Sequence, residues 1–435
     1  MTESPHADLL ARHRAVLPSW LSLYYEQPIE IASGKGCRVT DAEGRTYLDF
    51  FGGILTNMLG YDVPEVREAV KAQVDSGVMH TSTVYLIRPQ VELAERIAEL
   101  SGIPDARVFF TTSGTEANEA ALLFATTARR SNQVIALRGS YHGRSYAAMG
   151  ITGNRGWSAS AFTPLNVSYL RGGDRLRGPY RGLSDEEFCA AAAEELREVL
   201  ATETSGDVAA LIAEPIQGVG GFVTPPDGYL AALKEVCDER GILFVSDEVQ
   251  TGWGRTGEHF WGIQAHGVTP DMMTFAKGLG NGLTIAGVVG RAGLVDNLIA
   301  NSISTFGGNP VSTAGAVATL RYVLDHDLQT NAAKVGTRLL EGLRRLDYPV
   351  IGEVRGKGLM IGVELVRPDT TTPSPQAATT VLEEAKRGGL LIGKGGLYGN
   401  ALRIAPPLTL SEAEADEGLA VLGGALARAN EEAHS

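Results

Sequence analysis

The chain has 435 residues, 44% of them hydrophobic and 20% charged, with 53 glycines; that length allows a large core and suggests two or three domains. A formal charge of −13 argues against nucleic acid and against an anionic membrane surface, so small molecules are the expected partners. Cys37, Cys189 and Cys237 have no metal-site spacing, so no metal is expected, and they read as small apolar residues of a reducing compartment.

The opening MTESPHADLLARHR carries acids and no long apolar stretch, so no signal peptide is expected there. No window approaches the ~18 apolar residues of a membrane span. A cytoplasmic protein without membrane segments is the expectation. Short strands are predicted at 37–44 (CRVTDAEG) and 47–53 (YLDFFGG). From about Pro64 to Val323 the pattern alternates between apolar runs and helical spacing. Residues 106–112, 133–139, 208–215, 242–247 and 271–276 read as strands, and 113–130 and 229–241 as helices, the latter ending on Gly241. Strands apolar on both faces with helical crossovers predict an α/β fold with a mainly parallel sheet. Ligands in such sheets sit at the carboxyl ends of the strands, which is where Thr112 to Thr115, Glu214, Asp247 and Lys277 fall. Further helix–strand pairs are predicted near 356–366 and 400–408, with a Thr/Pro-rich loop at 367–376. The expected division is a large domain over 61–330 and a smaller α+β domain built from 1–60 and 331–435.

Three local features carry chemistry. Ser113 and Glu116 predict a capping box, so a helix starts at Gly114 and Thr115. Its free N–H groups either hold an anion such as phosphate or belong to an ordinary capped helix. Lys277, before GLGNG, is either a solvated charge or an amine among glycines that leave room for a carbonyl cofactor. Asp247 and Glu248 end the strand ILFVSDE, and a buried carboxylate needs a cation. A metal site or a polar loop is one explanation. The other is a pyridinium ring: at ~4 Å and an effective dielectric near 20 the attraction is about 4 kcal/mol, roughly three pKa units and enough to keep the ring nitrogen protonated. A protonated ring is an electron sink for a neighbouring carbanion.

The motifs SGTEAN (113–118), YHG (141–143), AEPIQG (213–218), SDEVQTGWGRTG (246–257), FAKGLGNG (275–282), TFGGNP (305–310) and LRIAPPL (402–408) occur in this order. Together they resemble the class III, pyridoxal-phosphate-dependent aminotransferases of fold type I, over nearly the whole chain. Within that class the chain is similar to 4-aminobutyrate aminotransferases and to alanine–glyoxylate aminotransferases of the second type; RGPY (177–180) and VRGKGLMIGVEL (354–365) favour the latter. The resemblance implies catalytic roles for Lys277, as imine-forming amine and proton carrier, and for Asp247, on the ring nitrogen. It implies phosphate contacts from Gly114 and Thr115, a place for Ser113 in the cofactor site, stacking by Tyr141, packing by Val249, and Gln250 near the ring oxygen. Thr305 is expected to reach the phosphate of a neighbouring subunit, implying a homodimer or larger assembly.

For substrate, the resemblance assigns Arg403 to the α-carboxylate and Glu214 to pairing with that arginine when the other substrate is bound. It assigns Arg144 to a distal carboxylate and Ile54 to the pocket wall. Arg144 belongs to the 4-aminobutyrate pattern rather than the alanine–glyoxylate one. The implied reaction moves an amino group from an ω-, β- or small α-amino acid to 2-oxoglutarate, pyruvate or glyoxylate in two half-reactions. A decarboxylase, aminomutase or racemase on the same scaffold, or a non-catalytic holder of the cofactor, are the alternatives.

Overall fold

A computed structural model describes residues 5–434. Its largest sheet has seven strands in the order Ala106–Thr111, Ala286–Arg291, Met272–Phe275, Leu243–Asp247, Val208–Ala213, Gln133–Leu137 and Asn166–Leu170. Every pairing is parallel except those of Ala286–Arg291, which runs against both neighbours. That strand, AGVVGR, has two glycines in six residues, a composition that weakens the sequence signal for a strand. The other six run in one direction, so their carboxyl ends share one edge of the sheet.

The continuous apolar runs are explained by burial of both faces. Val134, Ala136, Ala210, Ile212 and Val245 pack into one core with Ala117, Ala121 and Phe124 of the helix Gly114–Arg129. Their alternating neighbours Ile135, Leu137, Leu211 and Phe244 pack into the opposite core with Leu230 and Leu233 of the helix Tyr229–Arg240. Strand side chains alternate between faces, so a strand covered on both sides has no polar positions to show. Gly241 ends the second helix at φ 64°, a left-handed conformation that glycine adopts without a Cβ clash.

Two four-stranded sheets flank this layer. In one, Thr46–Asp49 pairs in parallel with Leu390–Leu391, joining the two chain ends. The other, Ile351–Lys357, Met360–Leu365, Ala401–Ile404 and Gly393–Gly395, is antiparallel throughout. The predicted loop at 367–376 is shorter than expected, because Ser374 caps a helix over Pro375–Arg387 by accepting from Ala377 N. Buried Arg255 donates to the carbonyls of Leu359 (3.2 Å) and Pro406, tying the antiparallel sheet to the loop after Asp247. This staple fixes where the strand Ala401–Ile404 stands relative to the large sheet.

Candidate active site

The strand ends open into a cleft of about 660 Å³. Ser113, Gly114, Thr115, Tyr141, Arg144, Glu214, Asp247, Val249, Gln250 and Lys277 all line it. Three expected residues do not. Arg403 stands behind Gln250, Ile54 offers its carbonyl to Lys277, and Thr305 lies at the surface beside exposed Ile303 and Phe306.

Asp247 is buried at the cleft floor, and both of its oxygens accept hydrogen bonds. Oδ2 accepts from Asn118 Nδ2 at 2.8 Å and lies 2.7 Å from His142 Nδ1, while Oδ1 accepts from Val249 N at 3.1 Å. His142 is also buried, and its Nε2 has no partner among the described residues; the proton therefore sits on Nδ1, which donates to the carboxylate. Neither His142 nor Asn118 was anticipated. Asn118 lies one helical turn beyond Gly114, on the same face, and His142 is the middle of YHG.

Glu248 turns away from the cleft. Its carboxylate is fully buried and accepts from Ser246 Oγ (3.2 Å), Thr251 Oγ1 (2.5 Å), Gly262 N (2.9 Å) and Ile263 N (2.8 Å). Burial pushes its pKa up, and the Thr251 hydroxyl and the two backbone donors oppose that shift. The paired acids thus divide: Asp247 faces the cleft, and Glu248 anchors the loop behind it.

The Lys277 amine does not pair with Asp247. Nζ donates to Ile54 O at 3.3 Å. Desolvation and then the Arg403 charge lower its pKa to about 8, against the pull of Asp247 and Glu214. Gly278 serves the chain's own packing, since a Cβ on it would lie 2.8 Å from Met58 Sδ, whereas Gly282 lines the cleft. Facing Lys277, Gly52, Gly53, Ile54 and Leu55 have φ of 53°, 62°, 65° and 64°. For Ile54 and Leu55 this left-handed backbone costs roughly 1–2 kcal/mol each. Asp49 holds the turn by accepting from Phe51 N (2.8 Å) and Gly52 N (3.0 Å).

At the helix start Ser113 accepts from Glu116 N at 3.3 Å, but the box is open: Glu116 accepts from Thr112 N (2.7 Å) and Thr112 Oγ1 (2.6 Å) instead. Ser113 is extended, at φ −148°, and the glutamate satisfies the residue before it. Thr115 Oγ1 lies 2.9 Å from Ser145 Oγ and accepts from Arg144 N at 3.1 Å. A Cβ on Gly114 would come within 3.2 Å of both γ-carbons of Val249.

Tyr141 N and Gly218 N both donate to Glu214, at 2.9 and 2.8 Å. Burial raises this acid's pKa. Arg403 is buried with its guanidinium carbon 5.1 Å from the Phe51 ring centre and 4.8 Å from that of Phe222. Nη2 donates to Gln250 Oε1 at 2.9 Å, and Nε is unpartnered among the described residues. Arg144 is exposed, and no ion pair involves it among the described residues.

The donor set fits pyridoxal phosphate. Helix N–H groups and the Thr115 hydroxyl suit a phosphate, Asp247 suits a pyridinium nitrogen, and Lys277 suits an aldehyde. Gly114 and Val249 leave a slot where any Cβ at Gly114 would crowd. Fold and site define a pyridoxal-phosphate enzyme of fold type I. Residues 23–426 match the family described as Aminotransferase class-III. The chain belongs to the class III aminotransferases. It is 40% identical over 420 residues to alanine–glyoxylate aminotransferase 2 homolog 2, mitochondrial, of Arabidopsis thaliana, covering 95% of this chain and 86% of that protein. It is 38% identical to acetylornithine aminotransferase of Mycolicibacterium smegmatis, covering 98% and 99%. Among solved structures, an amine transaminase from an uncultivated Pseudomonas species, described as PLP-bound, superposes with a TM-score of 0.88 at 32% identity, covering 95% and 98%. The protein is therefore an aminotransferase that uses pyridoxal phosphate to pass an amino group from an amino acid to a 2-oxo acid.

Proposed function

We propose that the donor is an ω-, β- or small α-amino acid of the alanine or 4-aminobutyrate type and the acceptor is pyruvate, glyoxylate or 2-oxoglutarate. The observation that carries this reading is the buried Arg403, which has no carboxylate partner among the described residues. An arginine fork binds a carboxylate through two parallel hydrogen bonds, and both the amino acid and the oxo acid bring one. Exposed Arg144 on the cleft wall is available for a second carboxylate.

Pyridoxal phosphate, when bound, supplies the aldehyde that accepts the amino group and the ring that draws off electrons. The chain's own residues do the rest. Helix N–H groups and Thr115 would hold the phosphate, and Asp247, fixed by His142 and Asn118, would supply an anion for the ring nitrogen. Val249 and Tyr141, which line the cleft, would pack against the ring. Lys277 holds and returns the proton at Nζ. Its lowered pKa leaves about one amine in ten neutral at pH 7, against roughly one in 3,000 for an ordinary lysine.

The assembly is a homodimer or larger in which Thr305 serves the partner's cleft. Exposed Met79, Val84, Tyr85, Leu86, Ile299 and Phe306 support this, since apolar surface on that scale marks an interface. The two domains divide near residues 60 and 330. A cytoplasmic location is supported by three free cysteines; no described helix is long and apolar enough to cross a membrane.

The test adds single amino acids to the holoenzyme and follows the loss of its visible absorbance. Bleaching by alanine or 4-aminobutyrate is expected, and restoration by one of the three oxo acids. An enzyme bleached by neither donor would overturn the substrate reading.

A further inference from the structure

Arg403 and Glu214 are the expected ion pair, yet each is engaged elsewhere. Glu214 spends its two oxygens on Tyr141 N and Gly218 N, at 2.9 and 2.8 Å. Arg403 meets the neutral amide of Gln250 instead. Gly218 joins the two arrangements: its N–H serves Glu214, and its missing side chain lets the Gln250 amide lie against the backbone, where a Cβ would come within 2.2 Å of Nε2. Gly395 similarly leaves room for the Arg403 stem, since a Cβ there would lie 2.7 Å from Cδ.

We propose that Gln250, rather than Glu214, is the group Arg403 releases when a substrate carboxylate enters, so that Gln250 sets how tightly the site holds oxo acids. The physical reason is the difference between a neutral and a charged competitor. A buried carboxylate would compensate the guanidinium fully, and an incoming oxo acid would then have to break an ion pair. An amide oxygen satisfies one N–H only and leaves the charge largely uncompensated. Arg403 is already desolvated between Phe51 and Phe222 and has an unpartnered Nε; a carboxylate gains the whole of that missing partner. Glu214 cannot swing to Arg403 without stranding two backbone N–H groups, and stranded buried donors are costly.

The inference rests on Arg403 being the carboxylate site, and the experiment separates the two. Steady-state KM and kcat are measured on holoenzymes with the oxo acid that turns over fastest. Gln250→Glu is expected to raise the KM for the oxo acid at least tenfold, by a larger factor than kcat falls. Gln250→Met, of similar length and without an acceptor, is expected to lower it below the unaltered enzyme. A KM that rises with both substitutions overturns the proposal, as does a larger KM change for Glu214→Gln than for Gln250→Glu. Arg403→Ala without a KM change would remove the underlying carboxylate reading instead. Retention of the cofactor's visible absorbance identifies variants that have folded, and Gln250→Asn provides a milder substitution of the same sign as Gln250→Met.

Discussion

His142 Nδ1 lies 2.7 Å from Asp247 Oδ2, with both side chains buried, and Asn118 Nδ2 donates to the same oxygen at 2.8 Å. The acid proposed to face the cofactor ring is thereby held by two donors. His142→Ala is expected to lower the rate of the first half-reaction by about 10- to 100-fold, the usual cost of losing a group that orients a functional one. Asp247→Asn is expected to slow it by orders of magnitude with the fold intact. Single-turnover bleaching measures both, and equal rates in the unaltered and Asp247→Asn enzymes would remove Asp247 from the mechanism.

Lys277 is the amine proposed to attach the cofactor. Its amine has a pKa lowered to about 8 by desolvation first and then by Arg403. A lowered lysine pKa means that the neutral, nucleophilic form gains as pH rises through that value. Covalent capture of pyridoxal phosphate by the apoenzyme is therefore expected to accelerate with a midpoint near pH 8. A midpoint near the ordinary lysine value of about 10.4 would contradict the desolvated environment. Lys277→Ala is expected to bind the cofactor without covalent attachment or activity; an active variant would refute the role.

Gly114 lines the cleft at the helix start proposed to hold the phosphate. Gly114→Ala places a methyl 3.2 Å from both γ-carbons of Val249. Weaker cofactor retention is the expected result, read as a faster loss of visible absorbance on dialysis. The double change Gly114→Ala with Val249→Ala removes the crowding and should recover part of the loss. Failure of any recovery would place the fault in the helix start itself.

Glu248 is a question of stability rather than chemistry. It satisfies four donors: two hydroxyls and the N–H groups of Gly262 and Ile263. Glu248→Leu strands them, and each buried unsatisfied donor costs about 1–3 kcal/mol. The expected outcome is a large drop in melting temperature, measured by circular dichroism on the holoenzyme. Glu248→Gln keeps part of the acceptor and should fall between; a variant as stable as the unaltered chain would show the loop is held by other means.

Much of the molecule could be read from local pattern. VAALIA is apolar at every position, and LFVSD is apolar up to Ser246, because both sheet faces are covered, a pattern that points to parallel strands. Ser113 before Gly114 marks a helix start, and Gly241 a helix stop, because these residues act on backbone groups next to them. The spacing of Asp247 and Lys277, with the flanking motifs, was enough to imply pyridoxal phosphate.

What only the tertiary structure decided is who faces whom. Asp247 and Glu248 are adjacent and chemically alike, yet backbone alternation sends one into the cleft and the other toward residues 262–263. His142 and Asp247 are 105 positions apart, and Arg403 and Gln250 are 153 apart; no local propensity encodes either pairing. Whether Arg403 meets Gln250 or Glu214 depends on how the strand Ala401–Ile404 is set against the large sheet, which the Arg255 staple and the side-chain-free backbones of Gly218 and Gly395 determine. Secondary structure follows from interactions a few residues apart, while partner choice in a buried polar network follows from packing between distant segments.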